Sequence, residues 1–200
     1  MKNKLMTGLA TGIFLFCGFG TSFSTPILVG SATWINGGVQ HEYKLYNYSS
    51  GDDKNWSATQ AWATSQAPGS NLATITTKSE DEFINSFFFG GSNIAFAGEV
   101  WLGGFQSPSE KNALAGWIWV TGEAWNYTNW SLGEPNDAYG PGSEQYLGGN
   151  WFGKWNDEGS LGNIKGFLVE NTAPVPEPAT MLLFGAGLAT LAAVGRRKRN

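Results

Sequence analysis

The chain has one cysteine in 200 residues, Cys17, and it lies in an apolar stretch near the N-terminus. Everything after it lacks a thiol, which excludes a disulfide or a cysteine metal site there. Histidine is as scarce. His41 is the only one, and it reads as a surface residue rather than a catalytic one. A Ser-His-Asp set is therefore not available, and there is no zinc constellation, P-loop or dinucleotide fingerprint. Arginine is missing from residues 33–173, which hold six Lys against fifteen acids, a net of −9. Phosphate binding needs clustered Lys and Arg, so nucleic acid is excluded as a partner. An acidic domain suits cation binding, and it equally suits simple solubility.

What the ends contain is distinctive. Lys2 and Lys4 precede an apolar run from Leu5 to Gly20, followed by small residues. Residues 1–24 read as a secretory signal, with candidate cleavage points at Ser22–Thr25 and Gly30–Ala32. At the other end, Pro174-Val-Pro-Glu-Pro178 leads into an uncharged run, Ala179–Gly195, then Arg196, Arg197, Lys198 and Arg199. At 1.5 Å per residue that run covers roughly 25 Å, enough for a transmembrane helix over 179–195. The basic cluster would stay in the cytoplasm and the middle of the chain outside it. One domain over 33–171 is expected, large enough for its own core.

Within it, Trp34–Tyr48 reads as an entry strand with Tyr43, Leu45 and Ile35 inward. Ser57-Ala-Thr-Gln60 and Ser79-Glu-Asp-Glu82 have capping-box spacing and predict two helices. Ala58, Ala61, Trp62 and Ser65 share a side of the first, which ends at Pro68-Gly69. Phe83, Ile84, Phe87 and Phe88 form an apolar stripe on the second, which Gly90-Gly91 stops. Leu72–Ile75, Val100–Phe105, Trp117–Val120, Gln145–Leu147, Trp151–Phe152, Lys154–Trp155 and Gly166–Glu170 read as short strands. Two early helices and a later Gly/Trp-rich β half make an α+β domain with short antiparallel sheets. The segment from about 121 to 150 is too long for an ordinary connection, and such loops are usually functional.

That loop and its flanks carry oxygen donors: Glu134, Asn136, Glu144, Asn156 and Asp157. Three carboxylates and two amides, with Gly-rich chain between, suit a hard cation, and calcium takes oxygens in number. Glu134 and Glu144 could instead form a glycosidase pair. A calcium site consumes both, and the chain is read as no enzyme. Trp117, Trp119, Trp130 and Trp155 are expected in the core. Trp125, Tyr127, Tyr139 and Trp151 are candidates to stack on a sugar.

These residues, taken in order, resemble the C-type lectin-like domain family over roughly residues 40–171. The resemblance rests on Ala61…Leu72-Ala-Thr-Ile75…Ser79-Glu80, Val100-Trp-Leu-Gly-Gly104, Trp117-Ile-Trp-Val-Thr-Gly122, Trp130…Gly133-Glu-Pro-Asn136, Trp155-Asn-Asp157 and Phe167-Leu-Val-Glu170. It implies a long calcium-binding loop in which Glu134, Asn136, Glu144, Asn156 and Asp157 hold one calcium that also binds two adjacent sugar hydroxyls. Asp157 would give carboxylate and backbone oxygens, and Pro135 would follow a cis bond. The Glu-Pro-Asn form implies mannose- or glucose-type sugars. Three departures stand out. The gap from Asn136 to Glu144 is about two residues longer than the family's, so Asp137 competes with Glu144 as a ligand. Ser65, Tyr146, Ser160 and Val169 stand where the family's disulfides would fall. Gln145 replaces an acid common at an auxiliary calcium site, so no second calcium is expected there.

The C-terminal segment resembles the PEP-CTERM sorting signal, extending over 174–200. It implies processing by an exosortase, a transient stay in the cytoplasmic membrane, and delivery to the cell surface or extracellular matrix of a Gram-negative bacterium. The combined expectation is an exported, calcium-dependent protein binding a glycan or exopolysaccharide of a biofilm matrix. A lectin-like protein–protein adhesion or structural domain is the alternative.

Overall fold

The entry strand expected over Trp34–Tyr48 is a hairpin. In the computed structural model, which describes residues 25–91, 93–159 and 162–174, strand β1 (Ile27–Asn36) turns at Gly37-Gly38 into β2 (Val39–Asn47). Both turn glycines have positive φ, 57° and 80°, a conformation glycine adopts without steric cost. Tyr43 and Leu45 are fully buried as expected, whereas Ile35 is 60% exposed on the edge strand.

Helix α1 spans Trp56–Gln66, one residue earlier than its expected capping box. Gln60 is committed elsewhere: its side chain accepts from Leu72 N–H and donates to Asn71. Trp56, Thr59 and Ala63 form its buried face. The predicted Ala58/Ala61/Trp62/Ser65 side instead borders a surface groove with Tyr48 and Phe167. Strand β3 is only Ser70–Leu72. Helix α2 (Lys78–Ile84) is capped by Thr77, whose hydroxyl accepts from Glu80 N–H, and not by Ser79. It widens into a π-helical turn over Asn85–Phe89, closed by Gly90 N–H on Asn85 O. Ile84 and Phe88 are buried, with Phe83 and Phe87 packed beside them.

The remaining strands are β4 (Glu99–Phe105), β5 (Ile118–Trp119), β6 (Tyr146–Trp151), β7 (Lys154–Glu158) and β8 (Ile164–Pro174). They join one mixed sheet in the order β1-β2-β8-β4-β6-β7, with β3 on β8 and β5 on β4. Its pairs are antiparallel except β4 with β8, which run parallel, so the sheet is continuous rather than several short antiparallel ones. The strand expected at Trp151–Phe152 is instead the end of β6 and a two-residue turn, Phe152-Gly153, into β7.

Of the positions where the resemblance implies cysteines, Tyr146 is packed among aromatics, and further aromatic pairs lie near by. Tyr146 stacks on Trp56 at 5.0 Å, while Trp62 meets Phe167 at 5.2 Å and Tyr46 at 4.9 Å. Such pairs contribute beyond their buried area. No described helix is long and apolar enough to cross a membrane. The expected signal at 1–24 and helix at 179–195 lie outside the described residues.

Candidate functional site

The long loop is seated by tryptophan. Trp155, at 2% exposure on β7, meets Trp119, Trp125 and Trp130 at 5.7–5.8 Å and Tyr127 at 5.6 Å. Backbone bonds stitch the loop to the same strand: Trp155 N–H donates to Asn129 O and Ser131 N–H to Trp155 O, each at 2.8 Å. The loop entry and the Asn156-Asp157 pair are therefore held side by side. Trp117, Trp119, Trp130 and Trp155 belong to the core, as expected. Trp125 and Tyr127, the half-buried candidates for sugar stacking, also pack against it. Tyr139 is 76% exposed, and Trp151 is half-buried beside Phe152.

Glu134, Glu144 and Asp157 lie near one another at the end of β7 and feel one another's charge, without drawing their oxygens into one tight cluster. Asp157 is fully buried, and its carboxylate accepts from Asn136 N–H at 2.9 and 3.0 Å and from Asp137 N–H at 2.8 Å. The Glu134–Pro135 bond between the first two donors is cis, as the resemblance implies. Asp137 has φ 51° and turns its carboxylate back into the loop, accepting from Gly142 N–H at 2.8 Å and Glu144 N–H at 3.0 Å. Glu144 is 4% exposed and accepts from Ala138 N–H at 2.6 Å. Asn156 donates to Glu158 at 3.1 Å. Asn136 is exposed at the rim.

The electrostatics are those of crowded anions. Glu134 Oε2 is buried without a hydrogen-bond partner. Burial, then the neighbouring Asp157, Glu144 and Glu158, push its carboxyl up to about 7. Burial also raises the Glu144 carboxyl, against the Ala138 N–H that stabilises its anion. Behind them lies an acid the sequence reading missed. Glu99, at the start of β4, is 2% exposed, and neither of its carboxylate oxygens has a well-aligned hydrogen bond. Burial and the charge of Glu158 push it to about 8, with a nearby Asn156 amide acting in the opposite sense. The only signal for Glu158 was its place next to Asn156-Asp157; Glu99 had none beyond heading an apolar strand.

Buried carboxylates that hold protons near neutrality are ready to exchange them for a cation. A buried, unpartnered carboxylate oxygen among hard oxygen donors fits calcium.

Residues 52–163 match the family model of the Lectin C-type domain, more than half of the chain. The chain belongs to the C-type lectin family. Residues 174–199 match the PEP-CTERM protein-sorting motif. A protein named Lectin from Pleurodeles waltl is 28% identical over 107 residues, 52% of this chain and 58% of that protein. The lectin chain thus spans little more than half of that relative's length. Among solved structures, the C-type lectin CEL-I from Cucumaria echinata aligns over 71% of this chain and 95% of its own, with TM-score 0.53 and 20% identity. The cow CD23 carbohydrate-recognition domain, determined in the presence of a GlcNAc2Man3 oligosaccharide, covers 71% and 94% with TM-score 0.51 and 20% identity. At these identities the likeness establishes the fold. The family and the relatives are lectins, not enzymes. A lectin domain joined to a PEP-CTERM motif describes an exported lectin-like protein.

A separate gathering of ligating groups lies across β2, α2 and β8: His41, Glu80 and Glu170. It corrects the reading of His41 as a surface residue. The His41 side chain is 16% exposed and bonded to Glu170 at 2.7 Å.

Proposed function

We propose that this lectin binds carbohydrate through calcium held by Glu134, Asn136, Glu144, Asn156 and Asp157. The observation that carries the reading is Glu134 Oε2, buried and unpartnered beside Asp157 and Glu144. In this reading Glu144, whose bond to Ala138 N–H uses Oε2 alone, is the ligand, and Asp137 accepts from the Gly142 and Glu144 N–H groups. Its role is to brace the longer loop so that Glu144 reaches the site despite the extra residues. Asp157 braces the other half, fixing the backbone at Asn136 and Asp137. Calcium bound there would offer open coordination positions to two neighbouring hydroxyls of a sugar. The same carboxylates and amides accept from and donate to those hydroxyls, and the exposed Tyr139 ring provides a face nearby in the chain.

A mannose- or glucose-type preference follows from the Glu-Pro-Asn triplet, and the CD23 domain seen with a mannose-containing oligosaccharide is consistent with it. The PEP-CTERM motif supports processing by an exosortase and release to the surface or exopolysaccharide matrix of a Gram-negative bacterium. Signal cleavage belongs at Ser22–Thr25, because a cut at Gly30–Ala32 would remove half of β1.

Glycan-array binding in calcium, and its loss in chelator, tests the function. Titration calorimetry with calcium tests the site separately. Calcium binding with no glycan signal would instead favour a calcium-stiffened adhesion domain. No calcium binding at millimolar concentration would overturn the site.

A further inference from the structure

His41 on β2, Glu80 on α2 and Glu170 on β8 have ligand atoms all within 4.8 Å of one another. They are three chain segments meeting across the sheet and the helix that covers it, beside the loop's entry at Thr121–Glu123. Each carboxylate is anchored by one oxygen, and its other oxygen is hydrogen-bonded, to His41 or to Tyr43, so a cation would have to displace those bonds. Glu170 Oε2 accepts from Thr74 N–H and the Thr74 hydroxyl, both at 3.0 Å, while Oε1 faces His41 Nδ1 at 2.7 Å. Glu80 Oε2 accepts from Thr76 N–H at 2.8 Å and the Thr76 hydroxyl at 3.2 Å, while Oε1 accepts from Tyr43 OH at 2.5 Å. Glu80 and Glu170 are 2% and 4% exposed.

We propose that His41, Glu80 and Glu170 form a second metal site, for a divalent cation of the zinc class. Imidazole nitrogen and carboxylate oxygen are both zinc ligand types, and three protein ligands leave a position of a tetrahedral site open. The set is too small, and too rich in nitrogen, for calcium. The anchoring Thr74 and Thr76 bonds are the outer partners such sites need to orient their ligands. The Thr74 hydroxyl has a single proton, for which Glu123 Oε2 at 2.7 Å competes with Glu170 Oε2. A cavity of about 230 Å³ bordered by Glu123, Glu170, Thr121 and Thr172 touches the cluster at Glu170. Two buried carboxylates beside a single imidazole also leave negative charge that a dication would neutralise.

The chain has one histidine, so its imidazole resonances report on this site without any mutation. The test uses the protein made without a polyhistidine tag, in excess calcium. Zinc should shift the His41 ring nitrogens to saturation at one equivalent, and calcium alone should not. His41→Gln, which removes a direct ligand, should weaken the calorimetric zinc affinity by more than the roughly tenfold known for loss of an outer partner, whereas Asp157→Asn, on β7 in the proposed calcium site, should leave it unchanged. Ring signals that respond to pH but not to zinc would overturn the proposal, leaving a histidine–glutamate ion pair. Zinc binding lost in Asp157→Asn but kept in His41→Gln would overturn it as well, since the ion would then sit in the loop.

Discussion

At the scale of single residues, the loop divides its acids between holding backbone and holding charge, and the two kinds should respond oppositely to mutation. Asp157 accepts from two backbone N–H groups in a fully buried position. Asp157→Ala leaves those donors unmet and should cost about 1–3 kcal/mol of stability in chelator, and calcium binding should be lost with it. Glu134 has a buried oxygen with nothing to accept from. Glu134→Gln removes the crowded anion, so calcium affinity should fall while the metal-free melting temperature holds or rises. Thermal melts in chelator beside calcium calorimetry separate the two outcomes. The same division explains what the sequence hid. Asp137 and Glu144 are equivalent donors on paper; only the folded chain shows the Asp137 carboxylate accepting from Gly142 and Glu144 N–H groups.

At the scale of elements, register and turns set where the site stands. Strand β4 crosses so close to the chain after β3 that a Cβ on Gly103 would lie 2.6 Å from Leu72 O and 3.1 Å from Ala73 O. Both contacts are backbone, which cannot swing aside, so Gly103→Ala should destabilise by roughly 1–3 kcal/mol in denaturant unfolding. The β6–β7 turn errs the other way. Phe152 and Gly153 both have positive φ, 51° and 73°, a turn that favours Asn-Gly, yet Phe152 is 87% exposed. Phe152→Asn should raise stability by roughly 0.5–1 kcal/mol. The helices were legible as helices, but not their starts. Thr77–Glu80 and Ser79–Glu82 both fit the capping-box spacing. The tie is broken by distant partners, since Glu80 is drawn inward by Tyr43 and Thr76.

At the scale of the whole molecule, the acidic balance gathers behind the loop. Glu99 and Glu134 have folded-state carboxyls raised to about 8 and about 7, above the unfolded value near 4.3. Between those limits the folded chain binds protons that the unfolded chain has released, so stability falls as pH rises. The contribution is complete below about pH 4.3 and is lost through pH 7 to 8. Glu99, the more deeply buried, carries most of it. In chelator the melting temperature should therefore drop between pH 6 and 9. Excess calcium binds the folded form alone and should widen its advantage with pH. A metal-free melting temperature flat across that range would mean that these acids are not crowded in solution.

The sequence by itself determined the family, the order of the oxygen donors and the sorting motif. All three are contiguous patterns: Glu134 to Asn136, Asn156-Asp157, and the stretch beginning at Pro174. Tertiary structure alone decided which side chains face one another over long separations. His41 and Glu170 stand 129 residues apart in sequence, and Glu99 meets the Asn156–Glu158 strand only because β6 pairs with both β4 and β7. Local pattern reports what a residue can donate or accept. Burial and the neighbours delivered by strand pairing report what remains for it to bind.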